Sequence, residues 1–507
     1  MTTEKYDIVI IGSGLGGLLC GYTLSQEGYK VCVLEKNKQI GGSLQTFARD
    51  RVHFDTGVHY IGGLQEGQPL YQYFKYFGLI GNIKLKRMDE LGFEEITVDG
   101  ESKKYQYGMG YANFKKGLKA DFPDEAAAID EYCAKIIEIC QGFPMYNVEN
   151  GDDLVFGTDV LYIGAKQYLE QLTPNVRLQN VLAATNILYA GDAAKTPLYM
   201  HALVVNSYIE SSYRLIDGSA QIASVLAKNI RQKGGKVFSN AEVVKLNMDE
   251  DDEKIKNAQL KDGRLVEADH FISDVHPSLI MEMLETTKIR KAYRNRIAKL
   301  ENTTSVFIIN AVMMKDSFPY LNSNIYHYET ENVWCTTEYT PEEWPLSYAL
   351  YTAATSKSET YTEAVSILAY MKMEDVAPWI DTFNTVSEKD ERGVEYEHFK
   401  IKKAEKLLDL VEKKFPDFRK CMKAYYVSTP LTYRDYIGTK DGSLYGIKKD
   451  FADPLSTFIS TRTKIPNLLM TGQNLHMHGV YGVTVGAIKT CSELLGQEYL
   501  LNKVKNS

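Results

Sequence analysis

The sequence lacks any apolar run long enough to cross a membrane. None of its 507 residues belongs to a stretch of about 20 consecutive apolar residues, the length that a spanning helix needs. The segment Ile8–Leu24 is apolar, but glycines interrupt it. Because Met1–Tyr6 leads directly into a strand pattern, we also expect no signal peptide. These absences favour a cytoplasmic protein that meets a membrane, if at all, from one side.

Metal-type cysteine spacing and an excess of basic residues are absent too. The seven cysteines are scattered without a CxxC pair, which favours free thiols in a reducing compartment. The formal net charge of −8 argues against broad nucleic-acid binding, which needs a basic face. His476 and His478 form a His-x-His pair, but no third ligand is evident. We therefore predict no metal site and no nucleic-acid partner.

Several catalytic motifs are missing as well. The chain contains neither a nucleophile elbow in a Ser-His-Asp order nor a GxxxxGK[ST] phosphate loop. It has one complete GxGxxG unit, so a separate nicotinamide site is not evident and the electron donor stays unknown. These gaps exclude the common hydrolase and P-loop classes.

What is present is a strand, turn, helix and strand over residues 6–35. Asp7–Ile11 is an apolar run typical of a strand buried on both faces, and GxGxxG follows directly. Gly12 allows the tight turn, Gly14 lets the backbone approach a pyrophosphate, and Gly17 lets the helix pack on the strand. The helix N-terminus offers free N–H groups to phosphates. Glu35 ends the second strand and can accept hydrogen bonds from a ribose hydroxyl. The pattern predicts a dinucleotide site without identifying the dinucleotide.

Later stretches narrow the choice. A Gly41-Gly42 turn follows the acid, and the run Phe54-Asp-Thr-Gly-Val-His-Tyr-Ile-Gly62 comes next. Together with Met200-His201-Ala-Leu-Val-Val-Asn206 and a Gly-Ser turn after it, these residues resemble the flavin-dependent family of phytoene desaturases, carotenoid isomerases and retinol saturases. The retinol saturase branch is the most similar. Thr471-Gly472-Gln473-Asn474 extends the resemblance over nearly the whole chain.

The resemblance implies an α/β fold. Its core is a Rossmann-type FAD-binding domain of the amine-oxidase and phytoene-desaturase superfamily, with an inserted α+β substrate domain. The FAD domain is expected in three segments, 1–75, 201–275 and 426–507. The substrate domain is expected as a mostly helical insertion over 76–200 and as a sheet with helices over 276–425. Residues 359–415 are expected to be mostly helical, and Lys236–Leu246 is expected to form one strand.

The resemblance also implies FAD as the cofactor and assigns its contacts. In that family, backbone near Val243 contacts the adenine side, and the segment after Thr471 holds the pyrophosphate, the ribityl chain and the edge of the ring. Asp217 stands where the family usually has a glycine, which could alter the contact at the flavin edge. The predicted cofactor-binding residues are Gly12, Gly14, Gly17, Glu35, Lys36, Gly42, Ser43, Val243, Gly472, Gly482 and Val483.

Two-electron chemistry on an unactivated carbon–carbon double bond needs a hydride carrier, which no protein side chain is. The expected activity is reduction of a double bond in an apolar polyene or isoprenoid lipid, with desaturation or cis–trans isomerisation as the alternative. A lipid-binding carrier on the same fold is the non-enzyme alternative. His59, Tyr60 and Tyr481 are candidates for donating the proton or facing the flavin, while His201 is interpreted as a satisfied interior histidine.

A basic, amphipathic stretch occupies residues 279–299. Its cations are Lys288, Arg290, Lys291, Arg294, Arg296 and Lys299. A solvated helix face is one interpretation, and docking onto an anionic lipid surface is the other. The second would make the protein peripheral at a membrane.

Overall fold

The computed structural model of the chain describes residues 4–151, 159–386 and 389–507. Its strands are β1 (Glu4–Ile11), β2 (Val31–Leu34), β3 (Thr46–Arg49), β4 (Val52–Asp55), β5 (Ile61–Gly62), β6 (Leu85–Arg87), β7 (Glu94–Thr97), β8 (Tyr105–Tyr107), β9 (Ser212–Leu215), β10 (Lys236–Phe238), β11 (Val243–Met248), β12 (Ile255–Leu260), β13 (Leu265–Ser273), β14 (Ser305–Met313), β15 (Asn324–Tyr328), β16 (Ser347–Thr352), β17 (Ala364–Met371), β18 (Met422–Ser428) and β19 (Leu468–Met470).

The α-helices connect and cover these strands. They are α1 (Leu15–Gln26), α2 (Pro69–Tyr76), α3 (Tyr111–Asp121), α4 (Ala126–Gln141), α5 (Ala165–Leu172), α6 (Val176–Ala183), α7 (Leu198–Glu210), α8 (Ala220–Gln232), α9 (Pro277–Met283), α10 (Lys291–Lys299), α11 (Gly393–Lys414), α12 (Phe418–Cys421), α13 (Pro430–Thr432), α14 (Pro454–Thr457), α15 (Gly479–Leu495) and α16 (Gln497–Lys505).

The first sheet has the strand order β10-β2-β1-β13-β12-β11, and β19 also pairs with β13. Strands β10, β2, β1, β13 and β19 are parallel, whereas β11 and β12 are antiparallel additions. Along β1, Ile8 and Ile10 pack in one apolar cluster while Val9 and Ile11 pack in another on the opposite face. Burial on both faces explains the continuous apolar run and confirms the predicted Rossmann-type strand.

The second sheet joins the two insertions. Its order is β18-β14-β17-β16-β15-β7-β8, and its pairs are antiparallel except for β15 and β7. Strands β7 and β8 come from the first insertion, and the other five come from residues 305–428. Helix α11 packs on one face, where Leu407, Leu408 and Val411 share an apolar cluster with β14 and β17. The sheet therefore brings residues of distant sequence position side by side.

Two expectations of secondary structure are wrong. Lys236–Leu246 is not one strand, because β10 pairs with β2 and β11 with β12, and the chain turns between them at Asn240, where φ is 51°. Residues 359–415 are not mostly helical over their first part, since β17 lies there in the second sheet. The run Ala-Val-Ser-Ile-Leu-Ala-Tyr-Met is β-branched and aromatic in part, and its eight residues are buried, which suits a central strand.

The interpretation of His201 is confirmed. Its ring is fully buried on α7, and both of its nitrogens have tyrosine partners, at 2.8 Å from the Tyr132 hydroxyl and 2.8 Å from the Tyr189 hydroxyl. Burial lowers the pKa of His201 to about 4. This histidine is therefore a neutral core residue.

The basic stretch 279–299 forms two short helices, α9 and α10, and part of its charge is used within the protein. Arg294 donates to the carbonyl oxygen of Leu284 at 2.9 Å, and Arg296 donates to that of Ser456 at 2.6 Å. Lys288 pairs with Glu253. Arg290, Lys291 and Lys299 are exposed.

Over the described ranges, none of the helices combines enough length with enough apolar character to pass through a bilayer.

Candidate functional site: a cleft between the two sheets

One cleft of about 420 Å³ runs from the glycine turn after β1 to the second sheet. Most of the predicted cofactor residues line it, although they come from three separate parts of the chain. These residues are Gly12, Gly14, Glu35, Lys36, Gly42, Ser43, Val243 and Val483, and the candidates His59 and Tyr60 line the same cleft. The structure thus brings together most of the site that the sequence suggests.

The glycines of the turn are required by close packing. A Cβ atom on Gly17 would lie 2.2 Å from the carbonyl oxygen of Gly12, and one on Gly14 would lie 2.5 Å from a carboxyl oxygen of Asp274. Gly14 caps α1 without a side-chain hydrogen bond. A Cβ on Gly42 would lie 3.2 Å from the Cα of Gly14. The cradle is therefore bare backbone, as a pyrophosphate at a helix N-terminus needs.

Glu35 is held in place at the end of β2. Its carboxylate accepts from the hydroxyl of Ser13 at 2.6 Å, from the Ser13 N–H at 3.1 Å and from the Asn37 N–H at 2.8 Å. The side chain is buried and lines the cleft. This is a prearranged carboxylate beside the turn, which fits the ribose of a dinucleotide.

A second acid, Asp274, lies at the end of β13 directly under the turn. Its carboxyl oxygens come within 2.6 Å of the positions where Cβ atoms on Gly14, Gly16 and Gly472 would stand. Burial raises the pKa of Asp274 to about 7, against the opposing effect of a hydrogen bond from the Gly17 N–H. Near neutral pH this carboxyl can therefore exist in its neutral form, which is compatible with an anionic pyrophosphate beside it.

Asp55 links the Phe54–Gly62 run to the Gly-Ser turn at Ser219, two of the stretches that carry the family resemblance. One of its carboxyl oxygens accepts from the N–H of Ser219 at 2.7 Å and from the Ser219 hydroxyl at 2.8 Å. Burial raises the pKa of Asp55 to about 6, although both hydrogen bonds oppose that shift. The Asp-Thr-Gly turn is thereby fixed to the start of α8, and His59 and Tyr60, which follow the turn in the chain, line the cleft.

The far wall of the cleft is built from tyrosines and aliphatic side chains. Its residues beyond His59 and Tyr60 are Ile187, Leu188, Tyr208, Tyr351, Leu368, Tyr433, Leu444 and Tyr445. His59 stacks on Tyr351 with ring centroids 4.6 Å apart, and burial lowers the pKa of His59 to about 3. Among the described residues, this wall carries no carboxylate and no ammonium group. It suits an uncharged, apolar ligand.

Three predicted cofactor-binding residues and the candidate Tyr481 lie outside the lining of this cleft. Gly17 packs beneath the turn, and Gly472 packs against Asp274. Gly482 lines a second, smaller cavity together with Tyr481 and His478. Tyr481 donates its hydroxyl hydrogen bond to the carbonyl oxygen of Tyr146 at 2.6 Å and stacks on that ring. Tyr481 is thus engaged in the core and does not line the large cleft.

Of the His-x-His pair, His478 is buried and lines that second cavity, whereas His476 is partly exposed and lies against the Phe458 ring, with ring centroids 4.8 Å apart. Burial lowers the pKa of both His476 and His478 to about 3. Over the ranges that the structure describes, no group of three or more histidine, cysteine or acidic side chains is arranged to hold a metal ion. The structure provides the pair with no third ligand there.

Sequence reasoning missed several residues of the site. Asp274 was visible only as a polar end to a strand, and Tyr351 and Tyr445 belong to segments with no motif. Glu94 was missed as well, although an acid inside the apolar run Phe93–Val98 is a usable signal, because a buried carboxyl needs a reason.

A parallel sheet with a glycine cradle at its carboxyl edge, closed by a late glycine-rich helix, defines a dinucleotide-binding flavoprotein fold. The family described as flavin containing amine oxidoreductase matches residues 15–378. The chain belongs to this family, and its cofactor is FAD. It is an oxidoreductase.

Individual relatives add to this assignment. The all-trans-retinol 13,14-reductase of Homo sapiens is 26% identical over 99% of this chain and 87% of that protein. The chloroplastic prolycopene isomerase of Daucus carota is 24% identical over 88% of this chain and 72% of that protein. Wild-type putrescine oxidase bound to putrescine has a similar fold, with a TM-score of 0.64 at 14% identity over 97% of this chain and 99% of that one.

Proposed function

We propose that this flavoprotein saturates a carbon–carbon double bond of an apolar polyene or isoprenoid lipid. The observation that carries the proposal is the far wall of the cleft, which is uncharged and rich in tyrosine hydroxyls. An apolar chain gains about 25 cal/mol per Å² on leaving water for such a wall. The hydroxyls supply protons where a carbanion would develop.

The chain divides the work between its two sheets. FAD, when bound and reduced, supplies the hydride. The glycine turn would hold the pyrophosphate of FAD and Glu35 its ribose, and the aliphatic residues Leu188, Leu368 and Leu444 would exclude water from the cleft. A tyrosine hydroxyl then delivers the proton to the neighbouring carbon, so that one hydride and one proton balance the reduction.

The similarity to retinol reductases favours saturation over the other reactions. Its coverage, 99% of this chain, exceeds the 88% matched by prolycopene isomerase. Desaturation and isomerisation stay as alternatives because they use the same cofactor and the same wall. A lipid carrier without FAD fits less well, since it would have no use for a prearranged Glu35 beside a bare glycine cradle.

The test is reduction under anaerobic conditions followed by a panel of polyenes. The purified holoprotein is photoreduced and mixed with retinoids and carotenoids, while flavin reoxidation and product mass are recorded. A product heavier by two hydrogen atoms supports the proposal. A product lighter by two hydrogen atoms would indicate desaturation instead, and a product of unchanged mass would indicate isomerisation. A protein that binds no FAD would overturn the proposal that it is an enzyme.

We also propose that the exposed cations of the basic stretch contact an anionic membrane from which the lipid is taken. Arg290, Lys291 and Lys299 remain available for this contact. Each cation near such a surface contributes about 1 kcal/mol. Arg290→Glu with Lys291→Glu should lower cosedimentation with vesicles containing phosphatidylserine, and equal binding by the variant would contradict the proposal.

A further inference from the structure

Behind the tyrosine wall lies a carboxyl that the sequence analysis did not assign. Glu94, on β7, has no exposed surface. One of its oxygens accepts from the hydroxyl of Tyr60 at 2.6 Å, and its other oxygen has no hydrogen-bond partner. A buried carboxyl with so little compensation is costly to keep for packing alone.

The hydroxyls of three tyrosines form a row that starts at this carboxyl. The Tyr60 hydroxyl is 2.8 Å from that of Tyr326, and the Tyr351 hydroxyl is 3.4 Å from that of Tyr326. Tyr60 and Tyr351 line the cleft, whereas Tyr326 lies behind them. The row thus runs from Glu94 inside the second sheet to the place where the lipid is expected.

We propose that Glu94 is the proton store for the reduction, and that Tyr60, Tyr326 and Tyr351 conduct its proton to the double bond. This inference rests on the proposed function. The Tyr351 O–H bond breaks as its proton bonds to carbon, and Tyr351 takes a proton from Tyr326, which takes one from Tyr60. Tyr60 takes the carboxyl proton, so Glu94 ends as a carboxylate. For this transfer the hydroxyls turn: the protonated carboxyl donates to Tyr60, and Tyr326 donates to Tyr351, which reverses the Tyr60-to-Glu94 and Tyr351-to-Tyr326 hydrogen bonds of the structure. Glu94 regains a proton along the same row once product leaves and water enters.

The surroundings of Glu94 agree with a store of this kind. Burial raises its pKa to about 8, although the Tyr60 hydroxyl, the Asn324 amide and the charge of Arg214 oppose the shift. Burial raises the pKa of Tyr60, Tyr326 and Tyr351 well above the ordinary value, so the hydroxyls pass protons on without losing them to solvent. The negative charge of Glu94 also acts on the buried hydroxyls of Tyr107, Tyr208, Tyr326 and Tyr351. Asn324 lies opposite Glu94 on β15.

His59 is excluded as the store by its own environment. It stacks on Tyr351, but burial lowers its pKa to about 3, and its Nε2 atom has no hydrogen-bond partner. It is therefore neutral at physiological pH and holds no spare proton. Its position fits packing beside the terminal hydroxyl.

The closing experiment compares Glu94→Gln with Glu95→Gln in the photoreduced holoprotein. Glu95 is the next residue of β7 but pairs with Lys414 at 2.6 Å outside the row, so it controls for loosening of the strand. Flavin reoxidation by the active polyene should slow by about 100-fold in Glu94→Gln, within the range for a general acid. FAD content and KM should stay unchanged, and the wild-type fall in rate above about pH 8 should disappear.

A reoxidation rate within threefold of wild type, or an unchanged pH profile, would overturn the proton store. If no polyene reoxidises the wild-type flavin, the proposed function fails instead, and infrared spectroscopy decides the inference separately. A protonated-carboxyl band at pH 7 that is lost in Glu94→Gln, and that shifts in Tyr60→Phe, supports the row. Absence of the band overturns it.

Discussion

The two sides of the cleft recognise their ligands by different means. The floor beside the first sheet is backbone: glycines approach so closely that a methyl group on Gly17 would reach 2.2 Å from a carbonyl oxygen. The wall beside the second sheet is side chain: Tyr351 comes from β16, Tyr208 from α7, and Tyr60, Tyr433 and Tyr445 from segments between the strands. On the proposed function, the floor would hold the cofactor with little tolerance for change, whereas the wall would select the substrate and supply the proton.

The largest effect is expected from a substitution in the glycine floor of the cleft. Gly17→Ala places a Cβ against the carbonyl of Gly12, so the turn must open and FAD should be lost from the purified protein. Overpacking of this kind also costs about 1–3 kcal/mol of unfolding free energy. The flavin-to-protein ratio and a denaturant titration measure both.

The matched control is Gly486→Ala on α15, where a Cβ would meet no atom within 4 Å. That change should keep FAD and stabilise the helix by up to about 1 kcal/mol. Full flavin content in Gly17→Ala would show that the floor does not depend on backbone contact.

The second-largest effect is expected from a substitution in the tyrosine wall, which leaves the glycine floor unchanged. Tyr351→Phe removes the hydroxyl that ends the row at the cleft, so reduction of the polyene should slow by about 100-fold while FAD stays bound. Stopped-flow reoxidation and the flavin spectrum measure the two sides separately. A variant that loses FAD and rate together would show that floor and wall are not independent.

A third, smaller effect concerns the pH dependence of the floor. The pyrophosphate is an anion beside Asp274, so FAD binding should raise the pKa of this carboxyl above its value of about 7 and take up a proton. Affinity should therefore fall as pH rises through 7, by up to about tenfold per pH unit.

Titration of the apoprotein with FAD between pH 6 and pH 9 checks the slope. Asp274→Asn, which keeps the size of the side chain but cannot ionise, should remove it. The same slope in wild type and variant would mean that another group titrates.

The smallest effect sharpens the comparison, because it concerns a tyrosine hydroxyl that belongs to neither side. Tyr189→Phe removes one hydrogen bond of the buried His201 ring, which should cost about 1 kcal/mol of unfolding free energy. Flavin content and the rate of polyene reduction should not change. A loss of rate comparable to that of Tyr351→Phe would mean that buried tyrosines act on the reaction generally.

The two sides also differ in how far the sequence could predict them. The floor depends on local spacing, so Gly12, Gly14, Glu35 and Gly42 could be assigned from short motifs. The row behind the wall depends on parallel pairing of β7 with β15, which brings Glu94 opposite Asn324, some 230 residues later in the chain. No local pattern encodes such a pairing, because side-chain alternation fixes which face a residue takes but not which strand lies beside it.

Two other differences between the sequence-based predictions and the structure have local causes. Residues 236–246 hold two groups of apolar residues, Val237-Phe238 and Val243-Val244, which suggest one strand, but the turn at Asn240 sends the two halves to different partners. Tyr481 precedes glycines that suggest a flavin contact, yet the rotation of α15 turns its ring toward Tyr146. The domain boundaries and the individual FAD contacts remain predictions, and contact with a membrane remains a proposal.

The most direct test of the central claim, that floor and wall form one site for reducing a polyene, is a single-turnover measurement. Photoreduced holoprotein is mixed with one equivalent of polyene without oxygen, and flavin absorbance is followed while the product is weighed by mass spectrometry. The account predicts one flavin reoxidised for each product that is heavier by two hydrogen atoms. A flavin that stays reduced, or a product of unchanged mass, would contradict it.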